Sequence, residues 1–207
     1  MGESLEKKKA RGRSIIRALE RAHPDAKIAL EFSTPLELLV ATILAAQCTD
    51  ERVNQVTRNL FKKYTSAGDY AKADPATLER EIHSTGFYRA KTRAVIGMAQ
   101  KLVANHGGTV PRTLEELTAL PGVGRKTANV VLGNVYGQPA IAVDTHVFRV
   151  SQRLGLAKSD DPEKVHDQLC EVIPKPKWTQ FSHLLTDRKS TRLNSSHIQK
   201  SRMPSSA

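Results

Sequence analysis

Residues 117–131 read LTALPGVGRKTANVV and place a lysine, Lys126, just after a Leu-Pro-Gly-Val-Gly turn. A helix running to Leu120 cannot continue past Pro121. Gly122 and Gly124 supply flexible backbone for a tight turn, and a second helix opens at Arg125. A helix–hairpin–helix of this kind lets backbone approach a phosphate, and the second helix offers free N–H groups at its positive end. Such a grip holds a DNA backbone without reading bases. Gly122, Val123, Gly124 and Arg125 are therefore candidate DNA-binding residues, with an ordinary αα-hairpin as the plainer alternative. A cation in the first turn of a helix is opposed by the dipole, and burial against a duplex would oppose it further. Both effects release the neutral amine that a lysine nucleophile requires. A phosphate contact is the alternative role for Lys126.

The second reactive candidate is Asp144. It follows the apolar run Ala140-Ile141-Ala142-Val143 and precedes THVFRV, which reads as a helix. As an N-cap it would be held ionised by the helix's positive end. A fixed carboxylate can also accept a proton from Lys126 or offset positive charge developing on a sugar. The two roles are compatible. Asp144-x-His146 invites a metal or triad reading, but no third partner has suitable spacing. His146 is better read as structural or as a contact to the DNA backbone.

Helix signals supply the frame for these groups. Thr34-Pro35-Leu36-Glu37 combines a capping box with proline at the first helical position. The apolar residues 38–46 follow, too continuous for a surface helix and better buried on most sides. Asp74-Pro75 and Asp161-Pro162 repeat the cap-then-proline signature, and Thr113-x-x-Glu116 is another capping box. Val165, Leu169 and Val172 form one core-facing stripe. Ala140 to Val143 is the only β-like run and is too short for a sheet. The expected fold class is all-α, with short connections.

Bulk properties narrow the function. In 207 residues, 32 Lys+Arg against 21 Asp+Glu leave a net charge of +11, which favours a polyanionic partner, nucleic acid before membrane. Cys48 and Cys170 are the only cysteines, so no disulfide scaffold or four-cysteine metal site can be built, and a reducing cytoplasm is expected. No apolar stretch is long enough to span a bilayer. Ten aromatics scattered along the chain argue against a base-stacking sheet. Arg89, Lys91 and Arg93 could track phosphates, although a solvated charged face is the default reading.

The segment LPGVGRKTANVVLGNVYGQPAIAVDTHVFRV, with FSTPLELLVATILAAQCTD and STGFYRAKTRAVIG, resembles the endonuclease III family of bacterial base-excision DNA glycosylase/AP lyases. The likeness runs from about Ile15 to His183. It implies two helical domains with a helix–hairpin–helix and a DNA-binding cleft between them: a barrel domain at 28–138, and a second at 1–27 plus 139–185. It also implies that Lys126 is the nucleophile and Asp144 its catalytic partner. A damaged, oxidised pyrimidine would be flipped from the stack and released, and a lysine Schiff base would cut the strand by β-elimination. The residues matching Gln47 and Phe87 enter the duplex in the family. From their own types and positions, Gln47 is an ordinary polar helix end and Phe87 a peripheral core residue. Duplex DNA with a damaged base or abasic site is the implied partner, and a monomer the implied state. Alternatives are a non-catalytic hairpin module that only grips DNA, an enzyme inactivated by C-terminal truncation, or a monofunctional mismatch glycosylase. The last generally lacks a lysine at the position of Lys126.

The chain departs from the family at one end. Endonuclease III proteins usually carry four closely spaced cysteines for a [4Fe–4S] cluster, and no cysteine follows Cys170 here. No cofactor is therefore expected in this chain. Residues 186–207 hold six serines, five Lys or Arg and no apolar periodicity, and read as a disordered, foreign tail resembling translated vector sequence. Loss of the cluster loop would leave residues 139–185 loosely packed.

Overall fold

The computed structural model describes residues 3–186. Among them every regular element is helical, as the patterning predicts, and no helix is long and apolar enough to cross a membrane. The chain divides into two compact units, one comprising Ala29–Gln138, the other the segments up to Ile28 and from Pro139 onward.

The Ala29–Gln138 unit is built on α2, Pro35–Leu44. Its capping box is complete: Thr34 Oγ1 accepts from the Glu37 N–H at 3.2 Å, and Glu37 Oε2 accepts from the Thr34 N–H at 3.3 Å. Every residue from 38 to 44 is buried, as an uninterrupted apolar run requires. Around it stand α3 (Asp50–Lys63), α4 (Ala67–Ala71), α5 (Pro75–Ile82), a 3-10 turn His83–Thr85, α6 (Tyr88–His106), α7 (Leu114–Thr118) and α8 (Arg125–Val135). Helices α6 and α8 both pack on α2. Val95, Met98, Ala99 and Leu102 of α6 and Ala128 and Val131 of α8 are buried.

The other unit joins α1 (Leu5–Ala22), α9 (Thr145–Arg153), α10 (Pro162–Val172), a 3-10 turn Lys175–Lys177 and α11 (Trp178–Thr186). Asp161 caps α10 from in front of Pro162, and Val165, Leu169 and Val172 are buried as one stripe. Residues 139–185 are not loosely packed. Ile141, Val147, Leu156, Phe181 and Leu184 are fully buried in one cluster with Ile16 and Ala26. Phe181, Leu184 and Leu185 on α11 are buried in that cluster, and α11 packs against α9 and α1. Ala140 to Val143 forms no strand because its backbone is satisfied by a helix instead. The Ala140 N–H donates to Thr179 Oγ1 at 3.4 Å and the Ala142 N–H to Ser182 Oγ at 3.1 Å, both on α11.

Thr186, the first residue of the expected tail, is the last of α11. The remainder of that tail, 187–207, lies outside the described residues.

Candidate nucleic-acid interface and catalytic residues

The hairpin is made by two helices that stop and start abruptly. Helix α7 ends at Thr118, and the Ala119 N–H returns to Glu115 O. The Ala119 carbonyl is in turn taken by Lys101 Nζ of α6 at 2.7 Å, a cation at a helix C-terminus. Leu120 and Val123 are buried, and the Val123 N–H donates to Leu120 O at 3.2 Å. Val123 thus anchors the turn in the core, and its N–H is already engaged. Pro121, Gly122, Gly124, Arg125 and Lys126 are exposed.

The two glycines do different work. Gly122 has φ +74°, and a Cβ built there would lie 2.6 Å from Ala94 Cβ of α6. It is required by the hairpin's own packing, beyond any approach to a ligand. Gly124 has extended backbone, φ −87°, with nothing within 4 Å of where a Cβ would stand. It is the N-cap of α8 and brings no side chain to it, whereas Thr34, Thr49 and Asp144 each cap their helices with an oxygen. The first turn of α8 therefore presents backbone N–H groups with no capping side chain over them, flanked by Arg125 and Lys126.

Two further turns belong to the same unit. Helix α2 ends at Leu44, and Gln47 three residues later takes φ +54°. Phe87, immediately before α6, takes φ +48° and is 66% exposed. Phe87 is no peripheral core residue. The helices that these turns border pack on the hairpin: the Cβ position of Gly122 lies 4.0 Å from Ile43 of α2 as well as against Ala94 of α6. Of the cationic run that precedes Ala94, Arg89 and Arg93 are exposed, but Lys91 is buried. The reading of Lys91 as a phosphate contact is corrected by this burial. Its ammonium reaches two main-chain carbonyls, a role that sequence spacing does not reveal.

Asp144 and His146 belong to the other unit. Asp144 is the N-cap of α9, with Oδ1 accepting from the Val147 N–H at 2.7 Å. Its position is set from both sides, by the helix it caps and by the 140–142 segment held to α11. His146 stands exposed in the first turn of α9.

A [4Fe–4S] cluster of the kind usual in the resembling family does not fit these residues. Four thiolates hold such a cluster, and the chain has two cysteines, Cys48 in one unit and Cys170 on α10 in the other. Cys170 Sγ lies 3.7 Å from His166 Nε2, yet among the described residues no group of three His, Cys, Asp or Glu could hold a metal ion.

Comparison with known proteins identifies the family. Residues 40–175 match the HhH-GPD superfamily base excision DNA repair proteins. The endonuclease III of Synechocystis sp. is 50% identical over 176 residues, 84% of this chain and 80% of that protein. Two solved structures superpose with a TM-score of 0.83 at 45% identity over 86% of this chain: a non-covalent endonuclease III–DNA complex, covered to 83%, and a trapped endonuclease III–DNA covalent intermediate, covered to 84%. The chain belongs to the HhH-GPD superfamily of base excision DNA repair proteins, among the endonucleases III.

Proposed function

We propose that this base-excision DNA glycosylase/AP lyase removes oxidised pyrimidines from duplex DNA, with Lys126 as nucleophile and Asp144 as its partner. The observation that carries the reading is the exposed Lys126 in the first turn of α8, beside N–H groups that no side chain caps. A phosphate bound by those groups would set the strand in register, and Arg125 would add charge to the same grip. His146 is assigned a backbone contact. The free protein leaves Lys126 in water, so its desolvation is left to the duplex. Gln47 and Phe87 fill the space that a flipped nucleotide vacates.

In the reaction, the neutral Lys126 amine forms a bond to C1′ of the deoxyribose as the bond from C1′ to the base nitrogen breaks. The electron pair leaves with the base, which takes up a proton. Asp144 offsets the cationic character of the sugar and accepts a proton from the lysine nitrogen. The C1′–O4′ bond then breaks, its electron pair going to O4′, which takes up a proton, while the nitrogen lone pair closes a protonated imine at C1′. Loss of a C2′ proton then expels the 3′ phosphate, cutting the strand. Attack by a side chain divides one difficult substitution into easier steps, and a covalent endonuclease III–DNA intermediate has been trapped in a relative. The cytoplasm suits the two free cysteines, and a monomer is the expected working form.

Borohydride tests the assignment. Incubation with a thymine-glycol or abasic duplex and borohydride should yield a covalent protein–DNA adduct. Lys126→Gln should still bind the duplex and form none. An adduct that persists in Lys126→Gln removes Lys126 from its role. Binding by the wild-type chain without an adduct reduces the protein to a DNA-gripping module.

A further inference from the structure

Lys91 is a charged side chain in the core of the Ala29–Gln138 unit, 5% exposed, and the chemistry above makes no use of it. Its Nζ donates to Leu44 O at 2.7 Å and to Thr85 O at 2.8 Å. Neither acceptor carries a formal charge, and burying an ammonium among uncharged partners is costly compared with an apolar residue of the same shape. Burial holds the ammonium below the ordinary lysine range, with the nearby Cys48 acting in the opposite direction. A position that tolerates such a cost calls for a reason.

The two acceptors supply it. Leu44 is the last residue of α2, three before Gln47, and Thr85 ends the 3-10 turn, two before Phe87. Gln47 and Phe87 are the non-glycine residues of positive φ among the described residues. Left-handed backbone is strained at such a residue and persists only where the surroundings over-determine it. Helix α2 has no basic residue in its own last turn, and Lys91 brings a cation to that negative end from α6. One side chain therefore fixes the exits of both elements that lead into the strained turns.

We infer that Lys91 is a positioning residue that clamps the Gln47 turn to the Phe87 turn, so that the two side chains meet the duplex as one rigid wedge. The inference rests on the proposal that Gln47 and Phe87 enter the duplex. Lys91 itself touches no DNA. Its loss would free the two turns to adopt unstrained backbone and spread the wedge.

The test uses the full chain and a substrate that needs no wedge. An abasic site in single-stranded DNA has no opposing stack to hold open, so strand cleavage there reports catalysis without insertion. Lys91→Met, which retains the stem's bulk, should lower the ratio of duplex to single-strand turnover about 10-fold. It should also weaken the fluorescence rise of a 2-aminopurine placed beside the lesion. In a Gln47→Ala/Phe87→Ala background the same substitution should change the ratio less than about twofold, because the clamp then holds nothing. If Lys91→Met does not fold, Lys91→Gln, which keeps a donor, should lower the ratio about threefold. A variant that lowers both rates together shows a merely structural lysine and overturns the inference. So does an undiminished effect in the Gln47→Ala/Phe87→Ala background. Wild-type ratio and fluorescence in Gln47→Ala/Phe87→Ala itself would instead refute the wedge, and the clamp with it.

Discussion

At the scale of single residues, the hairpin's two glycines separate packing from binding. Gly122→Ala introduces a methyl 2.6 Å from Ala94 Cβ on backbone of φ +74°, so strain and clash act together. We expect a loss of about 2–3 kcal/mol, read as a lowered Tm with or without DNA. Gly124→Ala adds a methyl to open space on extended backbone. Its Tm should change little, while affinity for an abasic duplex should fall, as the proposed phosphate grip at the first turn of α8 requires. Equal loss of stability in the two variants would refute this division. The sequence made the hairpin readable, since Leu-Pro-Gly-Val-Gly permits few backbones, but it gave both glycines the same two tasks, a tight turn and phosphate approach, and could not tell them apart. The partner of Gly122 lies on α6, twenty-eight residues earlier at Ala94, and no local spacing reveals a contact of that kind. Lys91 was hidden for the same reason. Its neighbours Arg89 and Arg93 share its charge and differ only in facing water.

At the scale of elements, cap signals were the most legible feature, because a cap is local: a side chain and an N–H two or three residues on. Thr34, Asp74 and Asp161 each cap the helix predicted for them. Thr113 also caps α7, although Glu116 accepts from the Thr113 hydroxyl in place of reaching its backbone N–H. Asp144 belongs to this group, and its double duty can be divided. In Asp144→Asn the amide oxygen can still accept from the Val147 N–H, so α9 keeps its cap and loses only the charge. We expect Tm to hold within about 2 °C while trapping and strand cleavage fall by about 10²-fold or more. Asp144→Ala should add a stability loss of about 1 kcal/mol. If Asp144→Asn cleaves at the wild-type rate, Asp144 is a cap and nothing else. Where local signals failed, the ends were set by distant partners. The apolar run was expected to carry helix to residue 46, yet α2 stops at Leu44, whose carbonyl is taken by Lys91.

At the scale of the whole molecule, charge and pH govern how long the site survives and how tightly it holds DNA. The net charge of +11 makes affinity for a duplex fall as salt rises, with counterions released in proportion to the phosphates contacted. Arg125→Ala should reduce the slope of log K against log salt by about 1. Stability follows pH in two windows. Hydrogen bonds hold the carboxyls of Glu3, Glu31, Asp69 and Asp74 below their ordinary values, to arginine for the glutamates and to hydroxyls and backbone N–H groups for the aspartates. Their contribution is present above the ordinary carboxylate range and is lost as pH falls through the lowered values. These groups are exposed, so each contributes little. His183 acts earlier. Burial on α11 pushes its imidazole below 6.5, so as pH falls beneath that value the unfolded chain binds a proton that the folded chain refuses. Stability should therefore begin to decline below about pH 6.5, before any carboxylate titrates. The cost falls on the core that Phe181, Leu184 and Leu185 complete around α9. Denaturant midpoints between pH 7 and 5 should slope downward in the wild-type chain and flatten in His183→Gln, leaving only the carboxylate decline below. Because α9 carries Asp144, strand cleavage after brief exposure to pH 5 should recover less fully in the wild-type chain than in His183→Gln. A wild-type midpoint that is level across that interval would show that His183 is protonated as easily in the folded chain as in the unfolded one.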